Sequence, residues 1–427
     1  MFFDKKNYEK KTFKNGIRYI YVPAPESRAT TVLVLVNAGS EFETKDINGI
    51  SHFLEHLCFK GTVKRPSSDL IASELDSLGA EYNAFTGNEA TGYYAKAANK
   101  NFEKILDVVA DLYLNPVVDQ KEMDKERGVI IEEINMYEDL PMEKVRENLA
   151  ALLYGDTPAG WSVAGTKENI EKISRDDVLS YRKRHYVAGK TVVVVSGGIK
   201  NPERLVEEKF ASLDGGEIIK KVETKESQDK PMIKLQNKET DQTHIIFGIR
   251  AFSLFDERRY TLSVLADILG GSMSSRLFNK VREEMGAAYY IRAGVELSSD
   301  VGILTVSSGI DKNRLYEISS AIIGELKRMA TEKVSDEELS KAKEHLSGKL
   351  VLQLETSDEL AGFYGSDELI CGSERTPDEI IANYQKVTTD DILQLAKDLM
   401  KNEKLNFSAI GQFGPETEEK LAEIIRL

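Results

Sequence analysis

Two histidines and a glutamate in one short stretch, His52, Glu55 and His56, are the residues whose types and spacing most directly suggest chemistry. On an α-helix, residues four apart stack on one face, so the two imidazoles would project together. Such a pair is half of a zinc site, because zinc binds histidine nitrogen at about 2.0–2.1 Å. Glu55 falls at the edge of the same face, where it could reach a water on the metal without being a ligand. The alternative is a chance pair on a core-facing helix.

The residues around this motif favour a helix. Asn48-Gly49 and Ser51 offer chain-breaking and capping groups before it, and Gly61 follows where a C-terminal cap is expected. The order H-x-x-E-H is the inverse of the H-E-x-x-H of many zinc enzymes.

A long helical stretch at residues 119–155 is the predicted source of a third ligand. One stripe at helical spacing runs along it: Glu126, Val129, Ile130, Glu133 and Tyr137. A carboxylate on a buried face is costly unless it is paired or binds a metal. Glu132 falls on a more polar face, so Glu133 is the predicted ligand, and Glu126 would support a ligand from behind or gate the site. The alternative for Glu133 is an ion pair with a buried Lys or Arg.

Composition describes an ordinary globular protein of 427 residues, 41% hydrophobic and 30% charged, long enough for two domains. The formal net charge of −14 argues against a nucleic-acid partner. No run of 18 or more apolar residues is found, so we expect no membrane span. The first six residues lack the features of a secretory or import signal. The cysteines, Cys58 and Cys371, suit a reducing compartment, and a cytoplasmic location is expected.

The second half of the chain repeats the plan of the first. Gly79-Ala80-Glu81-Tyr82 and Gly286-Ala287-Ala288-Tyr289 each open a strand pair that leads into a long apolar helix. The H-x-x-E-H motif has no counterpart in the second half. We therefore predict an α+β protein with two duplicated domains, at 1–214 and 241–427, joined by a polar linker at 215–240. Only the first domain would bind metal.

The predicted site has the parts that hydrolysis needs. Two histidines and a carboxylate leave the fourth zinc position open for water, whose pKa the metal lowers toward about 7. Glu55 would take the proton of this water and deliver it to the leaving group. A cation and a hydroxyl could stabilise the oxyanion, and Arg282 and Tyr289 are candidates. By themselves these two would more often be a surface arginine and a core tyrosine.

Taken together, these residues resemble the M16 metallopeptidases, the group of pitrilysin and mitochondrial processing peptidase, in its half-length subfamily. The resemblance extends over essentially the whole chain. The inverted zinc motif is matched by His52, Glu55 and His56, the downstream ligand by Glu133, and an intermediate glutamate by Glu126. The remaining matches are the substrate-pairing strand, Asn83, Ala84, Phe85 and Thr86, and the pair Arg282 and Tyr289.

The resemblance implies two homologous α/β domains of the LuxS/MPP-like kind. Each would be a mixed, mostly antiparallel sheet flanked by helices. Two chains would close as a clamshell around a peptide chamber, with one Zn²⁺ per catalytic site. A substrate strand would add to the sheet edge at residues 83–86. Arg282 and Tyr289 of one subunit would complete the zinc site of the other, so a homodimer is expected.

Several alternatives stay open. The chain could be a non-catalytic assembly subunit, or the catalytic subunit of a heterodimer. The sequence does not separate processing of one precursor from general peptide degradation. Manganese or cobalt could replace zinc.

Overall fold

The computed structural model describes residues 8–372 and 375–427, so the N-terminal stretch used for the localisation argument lies outside the described residues. The chain divides into two compact units. Unit 1 comprises Met1–Ile134, Ser162–Val222 and Val351–Asp378, and unit 2 comprises Asn135–Trp161, Glu223–Leu350 and Glu379–Leu427.

The strands, in chain order, are β1 (Glu9–Thr12), β2 (Arg18–Pro23), β3 (Ala29–Val36), β4 (Glu81–Thr86), β5 (Thr91–Ala98), β6 (Thr191–Gly197), β7 (Met232–Asn237), β8 (Thr243–Arg250), β9 (Ala288–Leu297), β10 (Gly302–Ile310) and β11 (Leu405–Gly411). The helices are α1 (Ile50–Cys58), α2 (Ser68–Ser77), α3 (Phe102–Leu114), α4 (Gln120–Asp139), α5 (Pro141–Tyr154), α6 (Lys167–Lys172), α7 (Arg175–His185), α8 (Glu203–Phe210), α9 (Arg259–Ala266), α10 (Leu315–Thr331), α11 (Asp336–Gln353), α12 (Ser357–Cys371), α13 (Pro377–Lys386), α14 (Thr389–Leu399) and α15 (Thr417–Ile424).

The sheet of unit 1 has the strand order β1-β2-β6-β3-β5-β4. The β2–β6 pair is parallel and the others are antiparallel. The run Val192–Val195 of β6 is buried on both faces, as expected for a central strand covered on both sides. One face packs on the large core that includes α1 and α3, and the other is covered by α12. Strand β4, at the end of the order, is mostly exposed.

The sheet of unit 2 has the order β7-β11-β8-β10-β9, with only the β7–β11 pair parallel. These five strands repeat the order of β2, β6, β3, β5 and β4. One face packs on the core that includes α10 and α14, and α5 covers the other. The prediction of two duplicated α/β domains with mixed, mostly antiparallel sheets is therefore confirmed.

The compact units are not continuous in sequence. Helix α5 belongs to unit 2 and α12 to unit 1, because each sheet has apolar residues on both faces and needs a second cover. The predicted domain bounds at 214 and 241 remain a prediction. Strand β7 lies within the predicted linker at 215–240 and pairs with β11.

The helical stretch predicted at 119–155 is two helices. Leu140 has the extended backbone that a residue before proline prefers, and Pro141 then starts α5.

Candidate active site

Helix α1 carries the histidine motif and is positioned by its own apolar face. Phe53, Leu54 and Leu57 are fully buried in the unit 1 core. The residues His52, Glu55 and His56 therefore lie on the side of the helix that faces away from this core. Gly49 precedes the helix with φ of +100°, a conformation in which a side chain is strained. The N-cap residue Gly49 offers no side chain to cap α1, and a side chain from outside the helix caps it instead.

That side chain is Glu43, whose carboxylate accepts hydrogen bonds from the backbone N–H of Gly49 at 2.7 Å and of Ser51 at 2.8 Å. A carboxylate at a helix N-terminus satisfies orphan donors and complements the dipole. Burial raises the pKa of Glu43 to about 7, against these hydrogen bonds. The predicted capping role of Ser51 is wrong: Ser51 lies inside α1, and its hydroxyl hydrogen-bonds that of Tyr181.

His52, His56 and Glu133 come together as a group that could hold a metal ion. The Nε2 atoms of the two histidines are 3.3 Å apart. Glu133 Oε2 lies 3.6 Å from His52 Nε2 and 3.5 Å from His56 Nε2. A tetrahedral zinc ion with bonds of about 2.0–2.2 Å requires ligand atoms about 3.3–3.6 Å apart. The donor set and its spacing therefore fit zinc without rearrangement.

His56 is oriented from behind by Glu126, whose Oε2 lies 3.1 Å from His56 Nδ1. Lys60 holds the other oxygen of Glu126, with Nζ 2.6 Å from Oε1. A carboxylate behind a ligating imidazole fixes the tautomer that leaves Nε2 free for the metal. His52 differs, because its Nδ1 is buried and has no hydrogen-bond partner among the residues that the structure describes.

The pKa values of the two histidines are shifted in opposite directions. Burial, together with the nearby His56, lowers the pKa of His52 to about 4. Burial also opposes protonation of His56, but hydrogen bonds to Glu126 and Glu133 outweigh it and raise the pKa of His56 to about 9. The carboxylates thus create a place that favours positive charge at His56. A divalent cation would satisfy the same carboxylates.

Glu55 is held by the neighbouring edge strand. Thr86, the last residue of β4, donates a hydrogen bond from Oγ1 to Glu55 Oε2 at 2.6 Å. Burial raises the pKa of Glu55, with the Thr86 hydrogen bond and His56 acting against it. A glutamate with a raised pKa is suited to accept a proton from water near neutral pH.

The predicted substrate strand, Asn83 to Thr86, is the second part of β4 and lies at the edge of the sheet. Its pairing is with β5, where Asn83 faces Tyr94 and Thr86 faces Thr91. Ala84 points into the core, whereas Phe85 is 44% exposed. An edge of this kind can accept a further strand through its backbone groups.

The stripe used to choose Glu133 is correct only in part. Val129 is 49% exposed, so it does not belong to the buried face of α4. That face is Met123, Glu126, Ile130 and Ile134. Glu133 lies at its border, half-buried, and Glu132 is exposed. The border position is what allows Glu133 to reach the histidines from the side.

Arg282 and Tyr289 belong to unit 2. Arg282 lies in the π-helical segment Phe278–Glu284, its guanidinium 5.0 Å from the centre of the Phe278 ring. Tyr289 lies on the edge strand β9 and is 66% exposed, so it is not a core tyrosine.

Sequence reasoning missed Glu43 and Lys60. Lys60 carried a signal, because it lies four residues after His56, next to the motif. Glu43 carried no such signal, because its contacts with Gly49 and Ser51 depend on how the chain turns between residue 43 and α1.

Within the residues described, none of the helices is both long and apolar enough to cross a membrane.

Two family models match the sequence in succession. Residues 18–167 match the insulinase family, peptidase family M16, and residues 172–346 match the peptidase M16 inactive domain. An uncharacterized zinc protease of Bacillus subtilis, YmxG, is 36% identical over 389 residues, covering 91% of this chain and 94% of that protein. Another uncharacterized zinc protease, from Streptomyces coelicolor, is 32% identical over 409 residues, covering 94% of this chain and 88% of that protein.

Two solved structures have the same fold. A protease from Helicobacter pylori superposes with a TM-score of 0.89 at 21% identity, covering 95% of this chain and 99% of that one. A structure described as the peptidase M16 inactive domain from Pseudomonas fluorescens gives a TM-score of 0.88 at 17% identity, covering 96% and 99%.

Proposed function

The chain belongs to the M16 peptidase family, and from this we propose that it is a zinc-dependent endopeptidase cleaving peptides or small unfolded protein segments. The family and the names of the relatives support a zinc peptidase in general. The observation that carries the finer proposal is the triangle of His52 Nε2, His56 Nε2 and Glu133 Oε2, with sides of 3.3 to 3.6 Å.

In this proposal His52, His56 and Glu133 hold one zinc ion, and Glu126 holds the His56 ring in place. When bound, zinc would supply Lewis acidity toward water and toward the carbonyl of the scissile peptide. Glu55 accepts the proton of the attacking water at a carboxylate oxygen and then gives it to the leaving amine. Its hydrogen bond from Thr86 keeps the carboxylate in one orientation during both transfers.

Substrate binding is proposed at the edge of β4. An extended peptide there would take its hydrogen bonds from backbone groups, so recognition would depend little on side chains. The half-exposed Phe85 would contact the added strand, and the contact between Thr86 and Glu55 links this strand directly to the proton acceptor.

We further propose a homodimer that closes around a peptide chamber. Arg282 and Tyr289 of the second subunit would stabilise the oxyanion, as a cation and a hydroxyl can. Both residues are exposed, which supports their availability to another chain. A cytoplasmic location is part of the same proposal, supported by the free thiols Cys58 and Cys371.

A second candidate is a non-catalytic or heterodimer-partner subunit of a processing complex. It rests on the match of residues 172–346 to a domain described as inactive, although His52, Glu55 and His56 lie within residues 18–167, which match the peptidase model. The two candidates differ in whether the purified chain alone cleaves peptides.

The test is hydrolysis of a mixed library of unfolded peptides by the purified chain, with zinc quantified. We expect cleavage by wild type, and no cleavage but retained zinc in Glu55→Gln. Glu133→Gln should lose zinc, whereas the matched variant Glu132→Gln, on the exposed side of α4, should keep both zinc and activity. Zinc binding without cleavage would favour the partner-subunit candidate, and absence of zinc from wild type would refute the proposed site.

Subunit exchange tests the dimer. Gel filtration should give a dimer, and mixed Glu55→Gln and Arg282→Ala chains should regain part of the activity that each lacks. An active monomer would contradict the shared site.

A further inference from the structure

The two histidines of the proposed metal group are held in different ways. His56 lies in the second turn of α1 and has Glu126 behind its ring, with Oε2 3.1 Å from Nδ1. His52 lies in the first turn, and its buried Nδ1 has no hydrogen-bond partner in the part of the chain that the structure describes. A ligating imidazole usually donates this second N–H to a group that fixes the ring. The place of His52 therefore depends, more than that of His56, on the backbone of the first turn.

That first turn is held by one carboxylate. The N–H groups at the start of a helix have no partner within the helix. Here Glu43 accepts from the N–H of Gly49 at Oε2 and from the N–H of Ser51 at Oε1. The side-chain amide of Asn48 donates to the same Oε2 at 2.9 Å. Glu43 thus binds the two residues that precede the helix and the residue next to His52.

Glu43 differs from a buried carboxylate in an ion pair. Its side chain is 4% exposed, and its hydrogen-bond partners within the described residues are Asn48, Gly49 and Ser51, all of them neutral. Glu368, which is equally buried in unit 1, is paired with Lys10 and Arg18 instead. Burial of a carboxylate is costly unless it is hydrogen-bonded, and a helix N-terminus favours its charge. The charge of Glu43 therefore acts on the start of α1.

The start of α1 is also enclosed by residues 162–170. A Cβ atom at Gly49 would lie 2.8 Å from the backbone oxygen of Ala164 and 2.9 Å from Ile170 Cδ1. Asn48 Nδ2, which donates to Glu43, also donates to the backbone oxygen of Ser162 at 3.0 Å. A displaced first turn would meet this segment or break its bonds to Glu43. The two sides together leave the turn one position.

We propose that Glu43 is the positioning residue for His52: its carboxylate fixes the first turn of α1 and so holds this ligand in place before the metal binds. The inference rests on the proposed function in one respect, namely that His52 is a zinc ligand. If a ligand is in place in only a fraction of the chains, the apparent affinity falls by that fraction. Glu43 would then set the zinc affinity without being a ligand itself.

The test compares two variants of the full chain. In Glu43→Gln the shape is nearly kept, but one acceptor becomes an N–H donor that faces another N–H donor. The matched control is Glu368→Gln, the same substitution at a buried carboxylate whose partners Lys10 and Arg18 are on β1 and β2. Three quantities are measured: zinc affinity by competition with a chelator, hydrogen–deuterium exchange of the metal-free chain, and the free energy of unfolding in urea.

We expect Glu43→Gln to bind zinc about three- to thirty-fold more weakly, the range that loss of a helix cap gives. Exchange at residues 48–53 of the metal-free chain should be faster by about the same factor, and zinc should restore much of the protection. Activity at saturating zinc should return to within about three-fold of wild type, because Glu55 keeps its hydrogen bond from Thr86. Glu368→Gln should lose stability but keep the zinc affinity and the exchange of residues 48–53.

Unchanged zinc affinity in a folded Glu43→Gln chain would overturn the inference. Faster exchange spread evenly over unit 1, or an equal loss of affinity in Glu368→Gln, would do the same, because either result would assign the effect to general stability.

Two further outcomes are decided by the same measurements. If Glu43→Gln does not fold, Glu43→Asp replaces it, since the shorter carboxylate cannot reach both N–H groups from the same backbone position. A folded Glu43→Asp chain with wild-type affinity and exchange would overturn the inference, and losses of both would support it. If wild type binds no zinc, the proposed function fails and the metal-free exchange of Glu43→Gln decides alone: faster exchange at residues 48–53 supports the positioning role, and unchanged exchange overturns it.

Discussion

Replacing Thr86 by valine is the perturbation that best separates the orientation of Glu55 from the assembly of the metal group. The hydroxyl of Thr86 donates to Glu55 Oε2 at 2.6 Å, and Glu55 is not one of the proposed metal ligands. Valine has the same branched shape and an equally high preference for strands, so β4 should keep its register. Only the hydrogen bond is removed.

The size of the effect follows from the charge of the acceptor. A hydrogen bond to a charged group contributes about 1.5–3 kcal/mol, compared with about 1 kcal/mol for a neutral pair. Glu55 is partly buried, so water replaces the lost donor incompletely. If the carboxylate must hold its orientation for the proton transfers, a barrier increase of about 1.4–2.7 kcal/mol lowers the rate ten- to a hundred-fold.

The assay is steady-state hydrolysis of one quenched fluorescent peptide, with kcat and KM determined separately and zinc measured on the same samples. We expect Thr86→Val to lower kcat, leave KM within about two-fold, and keep its zinc. Thr86→Ser is the matched control, because it keeps the hydroxyl and loses the methyl group, and it should keep most of the activity.

Two results would refute this reasoning. One is a Thr86→Val enzyme with unchanged kcat, which would mean that the hydrogen bond does not orient the proton acceptor. The other is equal loss in Thr86→Ser and Thr86→Val, which would assign the effect to packing of the edge strand.

Three other predictions concern the metal group and a buried lysine. Glu126→Gln should weaken zinc binding about 10- to 100-fold in a competition titration, because it supports His56 from behind; unchanged affinity would contradict this role. Chelation of zinc should lower stability by up to about 4 kcal/mol at free zinc of a thousand times Kd, seen as a lower thermal midpoint, and a midpoint insensitive to chelator would oppose it. Burial lowers the pKa of Lys190 to about 7, so the unfolded chain binds its proton more tightly and wild-type stability should rise between about pH 7 and 10. Lys190→Met should therefore be more stable in urea at pH 7, by up to about 4 kcal/mol, with less gain at pH 10; a destabilised variant at both would refute this.

The parts of the fold that depend on local pattern could be predicted from the sequence. The spacing of His52 and His56 gave a helix, and the repeated motif around Tyr82 and Tyr289 gave the duplication. The covers supplied by α5 and α12 could not be found in this way. Each of these helices packs on a sheet whose strands are distant in sequence. The pattern of apolar residues along a helix predicts that one face is buried, but it does not identify the sheet that buries it.

The site shows the same limit. Glu133 could be chosen because periodicity places it close to the buried face of α4, although Val129 beside it is exposed. The contacts of Glu43 with α1 and of Thr86 with Glu55 bring together residues from different elements. Nothing in their local sequence distinguishes them from other buried acids or strand threonines.

The two units show which features a duplicated fold retains. Each unit contains a buried carboxylate that is hydrogen-bonded to a histidine Nδ1: Glu126 with His56 in unit 1, and Asp267 with His345 in unit 2. The elements are exchanged, since the histidine is on α1 in the first case and on α11 in the second. In unit 1 the other ring nitrogen of His56, Nε2, lies close to His52 Nε2 and Glu133 Oε2.

In unit 2, no further His, Cys, Asp or Glu ligand atom of the described ranges joins His345 and Asp267 in a metal-binding group. Strand order is fixed by backbone pairing and by burial of apolar faces, whereas side chains that face a cleft are free of both constraints. The same fold position can therefore carry side chains that could hold a metal ion in one unit and, among the described residues, no such group around His345 and Asp267 in the other, without a change in the order of the sheet strands.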